Sequence, residues 1–525
     1  MELPRSPVRW LFDPQSGPRN LLIPRWLFLR ALGAIYFSAF ISLLFEIKGL
    51  IGPRGILPAG ETLQALAVVL GHSKALWAAP TFFWISASSH TISAVVWVGL
   101  IASVAAFLNL GPRFSLLICF ACFLSFAAAA GDFSAYQSDG MLLEAGFLSL
   151  FLAPRGLLPG WGEKSPPIRA AYLLLLWEWF RIYFQSGVVK IASGDPGWHH
   201  LTAMDDYYQN SPLPTWIGYY ANHAPEWVSH TSAAATLVLE LGIVFMLFFP
   251  RRVRLVCFCI VTLWEIPVIL TGNYAFLNYI VLVLGFLLLD DLALSRFVPA
   301  KWKPAAIEEP SATHASSPIK NAFQTSGLAV SAVLLTWIFY ATSAQLLAMF
   351  GLNLPSTPVR ALDPFRIANQ YGLFAVVTHG RYEIEFQGSD DGQNWTPYVF
   401  RYKPQLLNEA PGIYAPYQPR FDWNLWFASL GEWQQNDIVP LTQQRLLQNS
   451  PDVLSLFRAN PFPQSPPRYV RTVLWQYWFT SFDEKHSTGN WWRRKELGVY
   501  SPVLTLTSDG RLAEAAPADE LTPHD

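Results

Sequence analysis

Ionisable residues interrupt the apolar stretch from Trp177 to Trp198, and they are the side chains with the clearest capacity for chemistry. Charged groups inside a membrane cost roughly 2.5–3.5 kcal/mol each on insertion scales, so they usually face a protein interior and find partners there. Glu178 and Arg181 are three residues apart, on one face of a helix where they can form an ion pair. Lys190 lies roughly 2.5 turns further on and points to another side. Two interpretations stay open: a buried ion pair with a lysine reaching the interface, or a lysine that acts as a base.

The neighbouring residues predict how this helix packs and where it ends. Gly187 allows close approach of another helix. The run Ser-Gly-Asp-Pro-Gly that starts at Ser193 ends the helix, because proline and glycine break it. Glu240 and Glu265 lie in two later apolar segments, where they predict either polar contacts between helices or a proton-coupled role.

Acidic and imidazole side chains concentrate in two loops that the topology places on the outer side of the spans. These residues are Asp132, Asp139, Glu144, Asp195, His199 and His200. They form either a concave site over the membrane core or ordinary solvated loops. Adjacent histidines diverge in both strands and helices, and the sequence offers no second His/Cys pair at ligand spacing, so we predict no metal site. The sequence contains no nucleotide-binding or hydrolase motif, and we predict no cofactor.

The composition is that of a polytopic membrane protein. Of 525 residues, 52% are hydrophobic and 14% are charged, and the mean hydropathy is +0.26. Soluble proteins are nearer to about 25% charged. The net charge of −1 argues against nucleic acid as a partner, and the lipid bilayer is the expected surrounding. All four cysteines lie in apolar segments and are predicted to be core residues.

Apolar segments of sufficient length predict about nine membrane spans. They cover 26–46, 91–109, 113–130, 142–153, 169–190, 231–249, 254–271, 274–290 and 326–350, with a short or interfacial helix at 62–85. The predicted organisation is a basic cytoplasmic tail (1–25), a membrane domain (26–298), a flexible cytoplasmic linker (299–325), a last transmembrane helix (326–350), an outer domain (351–505) and a disordered tail (506–525).

Lysine and arginine alternate between the loops in the pattern of the positive-inside rule. With the N-terminus inside, every predicted inner loop contains basic residues, whereas the outer loops 131–141, 191–230 and 272–274 contain none. The remaining outer loop, 49–90, contains two, Arg54 and Lys74. An odd number of crossings places the residues after about 351 on the non-cytosolic side.

The C-terminal part reads as an α+β domain with a sheet. Residues 382–386 and 398–403 alternate in polarity and predict a β-hairpin in which Glu383 and Glu385 face Arg401 and Lys403. Residues 422–431 and 440–458 predict helices, and 467–480 predict another strand. Most of the dense aromatic residues are predicted to be core, but some are candidates for docking of client proteins: Trp423, Trp426, Trp491 and Trp492.

Eight short stretches in one order resemble the lipase maturation factor family, from Trp26 to Leu504. They are 140–148, 181–196, 207–214, 369–374, 382–395, 419–423, 460–463 and 489–494. The resemblance implies a polytopic protein whose large C-terminal domain faces the lumen of the endoplasmic reticulum. It also implies chaperone-like help for secreted lipases as they fold and assemble into active dimers. In a bacterial relative the corresponding location is the inner membrane, with the domain in the periplasm.

Three functions follow as hypotheses. The first is a non-enzymatic maturation factor whose outer domain contacts secreted client proteins. The second is a membrane enzyme, because Gly187–Lys190 is similar to the transmembrane region of vitamin K-dependent gamma-glutamyl carboxylases, which implies Lys190 as a base. The third is a transporter that uses Glu178, Arg181, Glu240 and Glu265.

Overall fold

The computed structural model describes residues 7–13, 17–304 and 318–516. Within these ranges, nine helices occupy the apolar segments of the sequence. They are α1 (Leu22–Ile51), α2 (Ser89–Phe107), α3 (Pro112–Ala129), α4 (Gln137–Leu152), α5 (Arg169–Ala192), α6 (Glu226–Leu241), α7 (Arg251–Thr271), α8 (Leu277–Gly285) and α9 (Pro318–Ala348). Turns of 3₁₀ helix extend α6 over Ile243–Phe248 and α8 over Phe286–Leu288.

The predicted count of nine membrane spans is not confirmed. In the described residues, six helices are long and apolar enough to cross a membrane: Leu22–Ile51, Ser89–Phe107, Pro112–Ala129, Glu226–Phe248, Arg251–Thr271 and Ser326–Ala348. The other three fall short for physical reasons. α4 has only 16 residues, α5 carries the charges Glu178, Arg181 and Lys190, and α8 has nine residues before its 3₁₀ turn.

Two contacts illustrate how close helix packing depends on glycine. A Cβ on Gly187 of α5 would lie 2.8 Å from the Leu241 side chain and 2.9 Å from the Glu240 Cβ of α6, so the predicted close approach is confirmed. A Cβ on Gly146 of α4 would lie 2.0 Å from the Tyr36 hydroxyl of α1. The helix containing Gly187 ends at Ala192, as the sequence predicts.

Short helices fill the loops. They are Pro7–Phe12, Ala59–Leu70, His72–Ala78, Pro196–His199, Ala203–Asn210, Trp216–Asn222, Asp291–Leu294 and Thr357–Arg360. The predicted interfacial segment 62–85 contains the second and third of these, and Val68 and Ile85 there are 86% and 85% exposed. Their exposed apolar side chains fit a position at the membrane surface.

The C-terminal domain is built on a five-stranded antiparallel sheet in the order β2-β1-β3-β4-β5. The strands are β1 (Arg381–Ser389), β2 (Thr396–Pro397), β3 (Tyr469–Phe479), β4 (Trp492–Leu506) and β5 (Leu512–Ala516). The helices α10 (Arg420–Ala428) and α11 (Ile438–Leu447) pack on β1, β3 and β4. Shorter helices lie at Pro451–Leu454 and Phe482–Thr488.

The predicted hairpin is wrong in its second strand. β1 pairs mainly with β3, where Ile384 lies opposite Leu474, and only Thr396–Pro397 pairs on its other edge. Lys403 still contacts Glu383, at 2.6 Å between Nζ and Oε2, but it does so from a loop. Arg401 donates to the Ser455 carbonyl instead of facing a glutamate. The long partner of β1 is therefore a strand distant in sequence, and the local partner is reduced to two residues on the other edge.

Three predicted segment boundaries can be compared with the structure. Residues 512–516 form β5, so the predicted disordered tail begins too early, and its remainder from 517 lies outside the described residues. The predicted linker 299–325 contains a 3₁₀ turn at Ala300–Trp302, and its centre lies outside the described residues. The predicted basic tail ends within α1, where Arg25 is buried and donates to the Ser165 carbonyl at 2.7 Å.

The contact of α5 with α6 yields a stability prediction. Gly187→Leu forces side-chain atoms into the Leu241 and Glu240 side chains of α6 and should lower stability by about 1–3 kcal/mol, as overpacking does. The matched control is Gly327→Leu in α9, where a Cβ meets no described atom within 4 Å. Thermal unfolding of the purified full chain should show a lower midpoint for the first variant only. Equal midpoints would contradict close packing at Gly187.

Candidate functional site

The segment that we call the strap, residues 366–379, connects the helical layer to β1 and lies along α5. Membrane-domain side chains bind its backbone at successive positions. The Tyr371 N–H donates to Gln185 (2.9 Å), the Leu373 N–H to Ser186 (3.1 Å) and the Val377 N–H to Asp195 (3.0 Å), while the Ala375 carbonyl accepts from Ser193 (2.8 Å). The strap therefore runs parallel to α5 and extends beyond its C-terminal end.

Glu144 of α4 is the centre of the buried polar contacts at the start of the strap. Its carboxylate forms an ion pair with Arg181 of α5, and both side chains are almost fully buried. The second oxygen accepts from the backbone N–H of Asn369 at 3.0 Å and from its side-chain amide at 3.1 Å. Arg181 also donates to the Asn369 carbonyl at 2.6 Å. One carboxylate thus joins two helices and the strap.

The predicted ion pair between Glu178 and Arg181 is not the one that forms. The Tyr371 hydroxyl contacts Glu144 at 2.9 Å and Glu178 at 3.4 Å. Within the described residues, the second Glu178 oxygen has no hydrogen-bond partner. Arg181 pairs with Glu144 because α4 and the strap pack against the side of α5 on which Arg181 lies. The spacing of residues within α5 cannot predict this contact between elements.

Lys190 is held at the other end of the same helix. Its Nζ donates to both oxygens of Glu240 in α6, each at 2.9 Å, and to the Leu373 carbonyl of the strap at 2.9 Å. An ammonium carries three donors, and all three are used. Lys190 is therefore bound as a cation between α5, α6 and the strap. This arrangement fits a residue that holds the strap against the helices better than it fits a base.

A second joint links α4 to the first helix of the C-terminal domain. Arg420 forms a bidentate pair with Asp139, with both N–O distances 2.8 Å, and also donates to the Phe133 carbonyl. Its backbone N–H donates to Glu46 of α1 at 2.8 Å. Asp422, two residues on, accepts backbone N–H groups from the 402–403 loop, and burial raises its pKa to about 6.

A third joint lies where the strap enters β1. Arg381 is fully buried and donates to the carbonyls of Gln209, Ser211 and Pro212 in the loop after α5. It also pairs with Glu383, which Lys403 contacts from the other side. The membrane loops and the sheet therefore share one buried charge network.

The six residues predicted as an outer-loop cluster do not form one site. Asp139, Glu144 and Asp195 are buried, and each binds a different part of the C-terminal half. Asp132, His199 and His200 are exposed. Among the described residues, no three acidic, His or Cys side chains are grouped so as to hold a metal ion.

The tryptophans proposed for client docking are mostly core residues. Trp423, Trp426 and Trp492 are 7%, 8% and 1% exposed. Trp491 is partly buried, and the Lys485 ammonium lies 3.1 Å from its ring centroid. Burial of the first three corrects their assignment as docking residues, because a ring inside the core offers no surface to a partner.

Glu240 and Glu265 both make contacts between helices. Glu240 binds Lys190, and Glu265 of α7 accepts from the Tyr183 hydroxyl of α5 at 2.5 Å. Glu265 also lines a cavity of about 170 Å³ between α5, α6, α7 and α8, whose wall is completed by the segment 198–208 and by the strap. Neither contact requires proton transfer.

Sequence reasoning missed Asn369, Tyr371 and Arg420 as binding partners of the membrane charges. Two of the stretches that carry the family resemblance contain them, 369–374 and 419–423. An available signal was the set of acids within the apolar helices, among them Glu46, Asp139 and Glu144, because buried carboxylates need partners.

The Glu144–Arg181 pair yields a mutational prediction. Arg181→Met leaves a buried carboxylate without its cation and should cost about 3–5 kcal/mol. Arg181→Met combined with Glu144→Gln should recover part of the loss, because the amide oxygen still accepts from the strap while the unpaired charge is gone. Thermal midpoints of the purified full chain provide the measurement. A single variant as stable as the unmodified chain would show that the pair does not hold the strap.

Comparison with known proteins matches both halves of the chain. Residues 23–296 match the family model described as the lipase maturation factor transmembrane domain, and residues 367–502 match the lipase maturation factor C-terminal domain. Lipase maturation factor 2 of Gallus gallus is 31% identical, covering 95% of this chain and 84% of that protein. Lipase maturation factor 1 of Bos taurus is 30% identical, covering 92% and 89%. No solved structure matches the chain. Both halves, in order and over nearly the whole length, place this chain in the lipase maturation factor family.

Proposed function

We propose that this chain is a membrane-anchored maturation factor whose C-terminal domain assists secreted proteins as they fold and assemble. The observation that carries the proposal is the set of buried ion pairs and hydrogen bonds that hold that domain on the loops at one face of the helical layer. The names of the relatives make lipases the first clients to test. The location that fits is the endoplasmic reticulum membrane in a eukaryote, or the inner membrane in a bacterium.

The contacts of the C-terminal domain support a non-cytosolic location. The domain contacts loops that follow α1, α3, α5 and α7. Arg445 donates to the Gly55 carbonyl, Arg420 to that of Phe133 and Arg381 to that of Ser211, while the Asn273 side chain donates to the Gly412 carbonyl. We call this side the domain face. Its loops 131–141, 191–230 and 272–274 carry no lysine or arginine, and the loop after α1 carries two, Arg54 and Lys74. This low content of basic residues is expected of an outer face.

The remaining loops meet one another on the opposite face. Arg25 of α1 donates to the Ser165 carbonyl in the α4–α5 loop, and the Leu22 N–H donates to Asp291 after α8. Arg251 at the start of α7 pairs with Asp290. Basic residues are frequent here, as in cytosolic loops. Consecutive helices α1 to α9 thus alternate between two faces, which supports nine crossings even though α4, α5 and α8 are short or polar.

The contacts favour this function over an enzyme or a transporter. All three N–H donors of Lys190 are used in contacts with Glu240 and the Leu373 carbonyl. The amine therefore has no free position from which to act as a base. Arg181 and Glu240 are likewise engaged in ion pairs. A scaffold whose charges bind its own segments is suited to hold a domain in place.

Apolar side chains that remain exposed on the C-terminal domain are the better candidates for client contact. Phe427 of α10 and Phe482 after β3 are 48% and 49% exposed. Exposed aromatic rings provide apolar area that partly folded chains bury. Point substitutions there are a cleaner test than removal of the domain, which would leave Glu144 and Lys190 without their strap partners.

Client activation should depend on this surface. Phe427→Asp combined with Phe482→Asp should lower the secreted activity of a co-expressed lipase severalfold in cells that lack their own factor. The abundance of the full-length variant is measured alongside, because Phe482 also contacts His223 and Phe427 also contacts Tyr136. Leu157→Asp is the control, since Leu157 is 74% exposed on the opposite face. Undiminished lipase activity in the double variant would refute docking at these residues.

Thiol labelling determines on which side of the membrane the C-terminal domain lies. Asn394→Cys lies on the C-terminal domain and Leu157→Cys on the opposite face, and Cys259→Ser removes the one exposed native thiol of the described residues. In intact cells or inverted vesicles, a membrane-impermeant maleimide should label the two positions from opposite sides. Labelling of both from the same side would contradict the proposed orientation.

A further inference from the structure

We propose that the cavity between α5, α6, α7 and α8 binds an uncharged, hydroxylated single-chain lipid whose head lies against Glu265. This site is separate from the proposed client surface and does not depend on the maturation role. The cavity measures about 170 Å³, a little more than a space known to hold a benzene-sized group. It is thus large enough for a small polar head and the first carbons of a chain.

Glu265 supplies the polar anchor of this cavity. The side chain is 5% exposed, and one carboxyl oxygen accepts from the Tyr183 hydroxyl. The other oxygen, which is buried, has no hydrogen-bond partner among the described residues. An unpaired buried carboxyl oxygen costs free energy, and a ligand that brings a hydrogen-bond donor removes that cost.

The rest of the wall favours an apolar chain with a neutral head. Aromatic and aliphatic side chains dominate the lining, among them Trp198, Tyr207, Trp264, Val268 and Phe374. The other acid in the wall, Glu240, is already neutralised by Lys190. An ammonium head carries three donors and would need several acceptors, whereas a hydroxyl needs one. The single unpaired oxygen of Glu265 therefore accepts from one hydroxyl of the head, and Ser232 and Asn278 in the wall are polar partners for a second one.

The cavity is placed where a lipid can enter from the bilayer. Pro267 of α7 lines the cavity and is also exposed at the protein surface. The flanking residues Leu263 and Leu270 are 71% and 41% exposed, an apolar surface suited to acyl chains. Glu265 lies six residues before the end of α7, or roughly 9 Å along the helix. A head at that depth leaves the chain running between α6 and α7 into the bilayer core.

Photolabelling of the full chain in nanodiscs tests the site. The probe is a 1-monoacylglycerol with a diazirine near its head, and labelled peptides are mapped by mass spectrometry. We expect labels on the cavity-facing residues of α5 and α7, and competition by excess unmodified monoacylglycerol. Val268→Trp fills the cavity and should abolish this labelling, whereas Leu263→Trp, on the lipid-facing side of α7, should preserve it. Glu265→Leu should weaken competition roughly tenfold or more, as the loss of a hydrogen bond to an acidic group does.

Several results would overturn the proposal. Labels spread along the lipid-facing surfaces of α6 and α7, unchanged by Val268→Trp, would indicate ordinary bilayer contact. Competition by a long-chain amine but not by monoacylglycerol would show that the site takes a cation. If Val268→Trp does not fold, the position of the label in the unmodified chain and its competition decide the question alone.

Discussion

The structure depends on the carboxylate of Glu144, which lies buried among the helices and binds both Arg181 and the strap. A charge in such a place is costly unless it is paired and hydrogen-bonded, and breaking a buried pair costs about 3–5 kcal/mol. Arg181, Asn369 and Tyr371 together provide those bonds. Because two of the three partners belong to the strap, the membrane domain has its buried charge satisfied only when the C-terminal half is seated.

The same constraint recurs at each joint between the two halves. Asp139 of α4 binds Arg420, and Lys190, paired with Glu240, donates to the Leu373 carbonyl. Arg381 donates to three carbonyls of the loop after α5. The two parts matched by separate family models are therefore one physical unit. A domain bound to the membrane loops at several buried joints presents its outer surface in a fixed orientation relative to those loops.

Local chemistry made part of this arrangement predictable from the sequence. Charges within α5 implied partners in the protein interior, and Gly187 implied a close helix, because both inferences need only the cost of burial and the size of a side chain. The strand at 467–480 was likewise visible in its aromatic and β-branched residues. These features depend on residues near one another in the chain.

Contacts between residues distant in sequence were not predictable. Arg181 has its partners 37 and 188 residues away, and one of them is a backbone carbonyl that carries no sequence signal. β1 pairs with β3 across an insertion that contains α10 and α11, so the local hairpin pattern was misleading. Burial of Trp423 and Trp492 followed from the packing of distant elements, which composition alone does not give.

Hydrogen–deuterium exchange of the strap amides in the full chain tests the central claim most directly. The account predicts that Asn369, Tyr371, Leu373 and Val377, whose N–H groups bind side chains of the membrane domain, exchange as slowly as the core of α5. Exchange of these amides at the rate of an exposed loop would show that the strap is not bound to the helices, and would contradict the claim that buried membrane charges hold the C-terminal domain in place.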